Sequence, residues 1–423
     1  MNAGVVAADH LITDAAGVLS PGWMQIQDER IVAVHEGRPP HDAPLLCETG
    51  GVVMPAFVNA HAHLALGTCG GIGDDLAYAE WLRHAMLPAV TRGSADREMF
   101  MDGAAQSIAM LVAGGIGCVA DSFLDPVSVP LLAGSGLRGY FGLEVFGSRA
   151  SDEAAFIADF EDGRELPELG TPRVQLGHAP HSLFTCPPKV MAAVVAHARR
   201  RKLRCTIHVD ESPEEHEFFL RGTGALADHF RAAGMLGRYR CDTSPVRQLA
   251  DMGLLGPDIM VVHAVQIDAA DIALLAASRT PVVHCPRSNL MLAVGLAPVA
   301  EMLAGGVSLA LGTDSLASVP TLDMFEEMRT MLLVQRGRTR RTTSLGAIDA
   351  FMAATLGGAR AMGLEHETGT LEPGKCADFV RLELPRVVNA RRDPVSRVVW
   401  EGQVEQVTHT FVGGRDLLAE LSA

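Results

Sequence analysis

Four short apolar runs, each ending in a group that can hold a metal or move a proton, constrain this chain more than any other feature. The first is Val53-Met54-Pro55-Ala56-Phe57-Val58-Asn59-Ala60-His61-Ala62-His63. Residues two apart on a strand point to the same side, so His61 and His63 can grip one cation together as the strand leaves the apolar interior. Arg204-Cys205-Thr206-Ile207-His208 and Ile259-Met260-Val261-Val262-His263 are shorter runs of the same kind, the former followed by Asp210 and Glu211. Val307-Ser308-Leu309-Ala310-Leu311-Gly312-Thr313-Asp314 ends in a carboxylate. Between such runs lie helical stretches: Met99 to Ala113 and Pro188 to Arg200 carry apolar residues at helical spacing, and Gly115 to Asp121 then restarts as a strand. Repeated βα units predict a parallel sheet, and α/β barrels assemble their chemistry at the carboxyl ends of the strands.

A single His at a strand end is commonly a surface residue, and an Asp after Gly-Thr commonly caps a turn. The joint placement is what matters. Of 16 His, those outside these runs, such as His10, His35, His41, His197, His229, His366 and His409, lack the setting and read as surface or packing groups. Neutral imidazoles with one carboxylate suit zinc, and less selectively iron(II) or another first-row divalent ion. The set leaves a coordination position open for water, as a catalytic site requires and a structural one does not.

Length agrees with a barrel carrying a smaller module. A (β/α)8 barrel takes roughly 250 residues, and the chain has 423. Residues 1–54 alternate polar and apolar in short runs, as in Trp23 to Gln27 and Arg30 to Val34, and the C-terminal stretch repeats this in Gly369 to Leu371, Ala377 to Leu382 and Val407 to Val412. The predicted fold is therefore a TIM-type (β/α)8 barrel over 55–366, with a small β-sandwich built from both termini, 1–54 and 367–423. Val334 to Thr343, rich in Arg, reads as a solvated loop or helix end.

The formal net charge of −15 argues against a nucleic-acid surface. The eight Cys form no C-x-x-C pair and read as reduced, packed thiols. No basic stretch precedes an apolar N-terminal core, and no apolar run reaches the ~18 residues of a membrane span. The expectation is a cytoplasmic protein acting on a small molecule, with neither membrane nor nucleic acid as partner and with homo-oligomerisation left open.

Pro55 to His63, His208-Val209-Asp210-Glu211-Ser212, Val262-His263-Ala264, His284-Cys285-Pro286-Arg287-Ser288-Asn289, Leu311-Gly312-Thr313-Asp314-Ser315 and Gly369 to Asp378 together resemble the amidohydrolase superfamily over nearly the whole chain. The branch they resemble holds cytosine and adenosine-nucleoside deaminases and triazine hydrolases. The resemblance implies one divalent ion, zinc foremost, on His61, His63, His208 and Asp314, with Glu211 and His263 working beside it. Glu211, three residues beyond a ligand, would shuttle protons, while His263 and Asp314 orient the attacking water.

Asp75 to Leu82 resembles the segment that folds over the purine in adenosine-type deaminases, which makes Trp81 a substrate-binding candidate. Pro180-His181-Ser182-Leu183-Phe184 resembles the stretch whose His reaches a ribose hydroxyl, and His181 is the candidate for that contact; His178 reads as structural. Two departures stand out: Val90 where a carboxylate is common, and Val319 where Asn is common. Glu214 to Phe219, Gly222 to Gly224 and Thr243 to Val246 resemble the members that deaminate 6-amino-6-deoxyfutalosine in the menaquinone route. That substrate carries a benzoate, for which Arg149, Arg221 and Arg287 are candidates because a guanidinium can bind a carboxylate bidentately. The alternatives are a deaminase of S-adenosylhomocysteine, methylthioadenosine or adenosine, a triazine amino- or chlorohydrolase and, more distantly, a binding protein on the same barrel without catalysis.

Overall fold

A computed structural model describes residues 3–14, 16–47, 50–147, 152–163, 170–385 and 393–422. Eight strands form the central sheet: Phe57–Ala62 (β1), Ile116–Phe123 (β2), Arg138–Val145 (β3), Val174–Pro180 (β4), Cys205–Val209 (β5), Ile259–His263 (β6), Val282–His284 (β7) and Leu309–Leu311 (β8). Each pairs in parallel with its neighbour in sequence, from β1 through to β8. The first and last strands then meet: the Asp314 N–H donates to the His61 carbonyl at 3.0 Å, and Ala62 bridges Asp314. Gly312 makes this approach possible, because a Cβ there would lie 2.7 Å from His61 Cβ and 2.9 Å from the His61 nitrogen. The barrel predicted from the alternating runs is the observed one.

The strands are almost uninterrupted buried runs, as expected of a parallel sheet covered on its outer face by helices. Pro188–Arg200 spans its predicted limits, with Val190, Met191, Val194, Val195 and Ala198 buried along one stripe and Lys189, Arg199 and Arg200 outside it. Arg97–Ala113 starts two residues before the first apolar position of its pattern and buries Phe100, Ala104, Ile108 and Leu111. The Arg-rich stretch ends the helix Met324–Thr339, which stops where Arg340 turns left-handed at φ +55°.

Both termini supply the second module. Gly4–Ala8, Gly22–Gln27 and Arg30–Glu36 form a three-stranded sheet, and Val52–Pro55 joins Phe379–Leu382 and Val407–Val412 in a six-stranded one. Met24 and Ile26 are buried while Gln25 and Gln27 are exposed, the alternation read from sequence. Val6, Leu11, Met24, Ile26, Phe379 and Phe411 share one core, with the last two rings stacked 4.4 Å apart.

Gly369 to Leu371 differs from expectation, forming turn rather than strand. Gly369 sits at φ +91°, which breaks the extended backbone. Leu371, buried in the core of the terminal module, gives its N–H to the Thr13 carbonyl at 2.7 Å instead of joining a strand ladder. Barrel and sandwich are joined by a buried ion pair: Arg138, at the start of β3, gives Nε to Asp378 Oδ2 at 2.5 Å and Nη2 to Oδ1 at 3.3 Å. Cys69, Cys118, Cys186, Cys205, Cys285 and Cys376 are buried free thiols, and Cys241 is a partly buried one. Among the described residues no helix is long and apolar enough to cross a membrane.

Candidate metal centre and active site

The carboxyl ends of β1, β5, β6 and β8 bring the four apolar runs to one place. A ring nitrogen from each of His61, His63 and His208 lies within 4.8 Å of the other two. Asp314 completes the set, its Oδ1 3.8 Å from His61 Nε2 and 3.6 Å from His63 Nε2.

Hydrogen bonds behind these side chains aim them. His63 Nδ1 lies 2.7 Å from the Ser122 carbonyl and His208 Nδ1 3.0 Å from the His181 carbonyl. A carbonyl only accepts, so both Nδ1 atoms carry a proton, and in the neutral ring each Nε2 offers a lone pair. Burial would lower His63, but Glu144 and Asp314 outweigh it and raise it above the ordinary imidazole value, so His63 gives up its Nε2 proton on taking a cation. Asp314 Oδ2 accepts from the hydroxyls of Ser288 at 2.6 Å and Ser318 at 3.0 Å, which turns Oδ1 toward the imidazoles.

The protonation states suit a cation. Burial holds His61 and His208 well below the usual imidazole range, with neighbouring histidines adding to the effect, so both are neutral donors. Burial would raise Asp314, but His63, His61 and His263 outweigh it and keep the carboxyl below its ordinary value. Both ring nitrogens of buried His61 lack a hydrogen-bond partner among the described residues. Leaving such a group unsatisfied costs on the order of 1–3 kcal/mol, and a cation against Nε2 removes part of that deficit. Three imidazoles and a carboxylate, with the His61 ring left unpartnered among the described residues, fit a divalent first-row ion.

Glu211 follows β5 and is buried. Its Oε1 lies 3.6 Å from His263 Nε2, and its Oε2 accepts from the Tyr78 hydroxyl at 3.0 Å. Burial raises its carboxyl, so the protonated form is accessible at less acidic pH than for an ordinary Glu, even though His263 opposes the shift. His263 is oriented by Asn289, whose Oδ1 is 2.9 Å from His263 Nδ1. Backbone strain concentrates here: Asp210, His263 and Asp314 have φ of +54°, +72° and +63°. Non-glycine residues held in this region cost about 1 kcal/mol or more each. His263 and Asp314 face the centre, whereas Asp210, between His208 and Glu211 in the chain, turns its carboxylate to His216 at 3.0 Å.

His181 packs its ring 4.7 Å from that of His208 and 4.6 Å from half-exposed Phe146, with Nδ1 2.9 Å from Thr185 Oγ1. Burial brings it down to about 3, so it is a neutral partner at the mouth of the site. Trp81 is buried and donates its indole N–H to the carbonyls of Ile72 and Ala317 at 3.1 and 3.3 Å. With Ile72, Leu76, Leu316 and Val319 it lines an apolar cavity beside Ser318, the residue that holds Asp314.

Arg287 requires a correction. Its guanidinium is committed to the Thr321 carbonyl and hydroxyl at 3.0 Å each and to Glu326 at 2.7 Å, with Glu327 at 3.6 Å, because a buried cation must be paired. It buttresses the loop after β8 instead of offering a free clamp for a carboxylate. Arg221 is exposed at the end of the helix Pro213–Arg221, and Arg149 lies outside the described residues.

Several site residues escaped the sequence reading. Glu144, pushed up to about 7 by burial, has Oε1 3.5 Å from His63 Nδ1; a lone carboxylate in the apolar run Tyr140 to Phe146 was its signal. Ser288, Asn289 and Ser318 lay within or beside recognised motifs, but only the packing shows that they aim Asp314 and His263. Tyr78 lay within the Asp75 to Leu82 segment, but its contact with Glu211, 133 residues away, carried no local signal.

An eight-stranded parallel barrel with a histidine cluster and a buried carboxylate at its carboxyl-terminal mouth is the architecture of a metal-dependent hydrolase. Residues 52–417 match the Amidohydrolase family, and the chain belongs to it. The chain is 31% identical over 427 residues to a 5'-deoxyadenosine deaminase of Methanothermobacter thermautotrophicus, covering 99% of this chain and 94% of that one. It is likewise 31% identical over 376 residues to a 5-methylthioadenosine/S-adenosylhomocysteine deaminase of Teredinibacter turnerae, covering 87% and 80%. A zinc-bound adenosine deaminase from Xanthomonas campestris superposes with a TM-score of 0.81 at 27% identity, covering 99% of this chain and 96% of that chain. An aminofutalosine deaminase of Helicobacter pylori shares the fold, with a TM-score of 0.81 at 22% identity over 98% and 99% of the two chains.

Proposed function

We propose that this chain is a metal-dependent hydrolytic deaminase of adenosine-type nucleosides, converting a 6-aminopurine to the 6-oxo compound with release of ammonia. The observation that carries the reading is Glu211, a buried carboxylate with a raised pKa set between His263 and the cluster of His61, His63, His208 and Asp314. The names of the relatives, adenine-nucleoside deaminases matched over most of their length, support the same class.

His61, His63, His208 and Asp314 would hold the ion. When bound, a divalent cation lowers the pKa of its water to around 7. Glu211 takes one proton from the attacking water and gives it to the ring nitrogen beside the reacting carbon, while the new C–O bond forms. It then carries the second proton from the added hydroxyl to the amino group, the C–N bond breaks and ammonia leaves. The carbonyl remaining on the ring balances the equation as substrate plus water giving product plus ammonia. His263, held by Asn289, and Asp314, held by Ser288 and Ser318, fix the attacking oxygen, first as water and then as the added hydroxyl. His181, neutral and at the mouth, contacts the sugar.

Within this class we favour nucleosides whose 5' group is small or apolar, such as 5'-deoxyadenosine and 5-methylthioadenosine. One relative is named for 5'-deoxyadenosine and the other for methylthioadenosine together with S-adenosylhomocysteine. What favours the smaller groups is the apolar lining of the cavity beside the site, Ile72, Leu76, Trp81, Leu316 and Val319. The benzoate of 6-amino-6-deoxyfutalosine needs a guanidinium, and Arg287 is already paired, which makes that nucleoside the second candidate. The test is ammonia release by the zinc-loaded enzyme from 5'-deoxyadenosine, methylthioadenosine, S-adenosylhomocysteine, adenosine and aminodeoxyfutalosine. The highest kcat/KM is expected on the first two. Turnover of an aminotriazine with none of these nucleosides would replace the reading by a triazine hydrolase, and bound metal without any turnover would replace it by a binding role.

A further inference from the structure

The segment between β1 and β2 crosses the mouth of the site and is fastened at two points. Trp81 is one, through its indole N–H to the carbonyls of Ile72 and Ala317. Tyr78 is the other, its hydroxyl donating to Glu211 Oε2 at 3.0 Å. The two rings lie 6.3 Å apart at 27°, so the anchored indole steadies the turn Tyr78–Trp81 from which the phenol reaches. Glu211 is also held from behind, its N–H donating to Glu215 Oε2 at 2.9 Å. Only Oε1 is left facing His263, at 3.6 Å.

We propose that Tyr78 is a positioning residue that divides the work of Glu211 between its two oxygens: the phenol occupies Oε2, and the protons of the reaction pass through Oε1. This rests on the reading of Glu211 as the proton carrier. A free carboxylate can take up a proton on either oxygen, and one taken on the far side must wait for rotation before delivery. With Oε2 already accepting from an O–H, the open lone pairs of Oε1 lie toward His263 and the cluster. Tyrosine suits the task because it donates without titrating in the working range: burial, then Glu211 and Glu215, hold its phenol well above the ordinary value. Phenylalanine would fill the same space and leave Oε2 without that donor.

Tyr78→Phe in the zinc-loaded enzyme is expected to lower kcat roughly tenfold, the scale of a lost hydrogen bond to a charged group, with KM nearly unchanged and metal content intact. In a Glu211→Gln background the same substitution should cost nothing further, because the phenol acts through the carboxylate. A readout independent of turnover is the carboxylic C=O band of Glu211 in infrared difference spectra, with Glu211→Gln as the blank. Loss of a donor to the ionised form favours the neutral acid, so the midpoint of that band should move up by roughly one pH unit in Tyr78→Phe. An unmoved band, or an equal penalty with and without Glu211, overturns the proposal. A shifted band in an enzyme inert toward every adenine nucleoside supports the grip of Tyr78 on Glu211 and overturns the deaminase reading instead.

Discussion

Glu211 and His63 separate the two functions that the site must combine. Glu211 touches no nitrogen of the three-histidine cluster and sits against His263, whereas His63 offers Nε2 to the cluster and gives Nδ1–H to Ser122. Glu211→Gln should therefore keep the metal and lose at least about 10²-fold in kcat, the usual scale of general acid/base catalysis. Metal analysis beside steady-state kinetics checks both halves, and unchanged turnover would remove the shuttle. His63→Ala should lose metal and activity together; a fully loaded, active variant would strike His63 from the donor set. Stripping the ion with a chelator should lower Tm and restoring zinc should raise it again, because a ligand that binds only the folded state stabilises it. An identical Tm in both states would show that these side chains hold no ion in solution.

At the scale of elements, what a cap or a turn does to a neighbouring side chain decides how well the site is built. Ser212 caps the helix Pro213–Arg221, accepting from the Glu215 N–H at 3.2 Å, directly after Glu211. Ser212→Ala should cost about 1 kcal/mol of stability and, by loosening the start of the helix that supplies Glu215, reduce kcat more than it raises KM. Chemical denaturation and kinetics on one preparation check this, and a pure stability loss with intact kcat would confine Ser212 to the helix.

Asp393 caps the helix Pro394–Glu401 through Ser396. Burial would raise its carboxyl, but the Ser396 N–H and hydroxyl outweigh it and hold the group below its ordinary value. A carboxyl depressed by folding contributes stability that is complete above its unfolded value, about 3.9, and is lost as pH falls through the lowered folded value. The Tm advantage of wild type over Asp393→Asn should accordingly narrow as pH is brought down through about 4. A gap constant across that range would show that ionisation of Asp393 plays no part.

For the whole molecule, a buried link between barrel and terminal sheets is the Arg138–Asp378 pair, with Asp378 also accepting from the Gly413 N–H at 2.8 Å. Arg138→Ala would strand a buried carboxylate, a loss of about 3–5 kcal/mol for a broken buried pair. Arg138 sits at the amino end of β3, away from the carboxyl-terminal mouth, so KM should hardly change while the denaturation midpoint falls. A denaturation midpoint equal to wild type would mean that the two modules do not depend on this pair.

The barrel was legible because period-two and period-3.6 patterns are local: Phe57 to His63 and Pro188 to Arg200 announce their elements within a dozen residues. Gly369 to Leu371 was misread for the complementary reason. Its composition tolerates a strand, and only the left-handed Gly369 set against Leu356 makes it a turn.

The sequence by itself determined which groups could do the chemistry: His61, His63, His208, Glu211, His263 and Asp314 each stand at or just beyond the end of an apolar run, and their joint placement, which no single one of them carries, points to one site. Tertiary structure alone decided which atom of each residue works. Ser122 and the His181 carbonyl select Nε2, Ser288 and Ser318 select Oδ1 of Asp314, and Tyr78 engages Oε2 of Glu211. Those choices are set by hydrogen bonds between residues that lie from 4 to 133 positions apart, most of them beyond the reach of any local pattern. Hydrogen bonds act over about 3 Å, and which groups come that close is fixed only once the chain has folded.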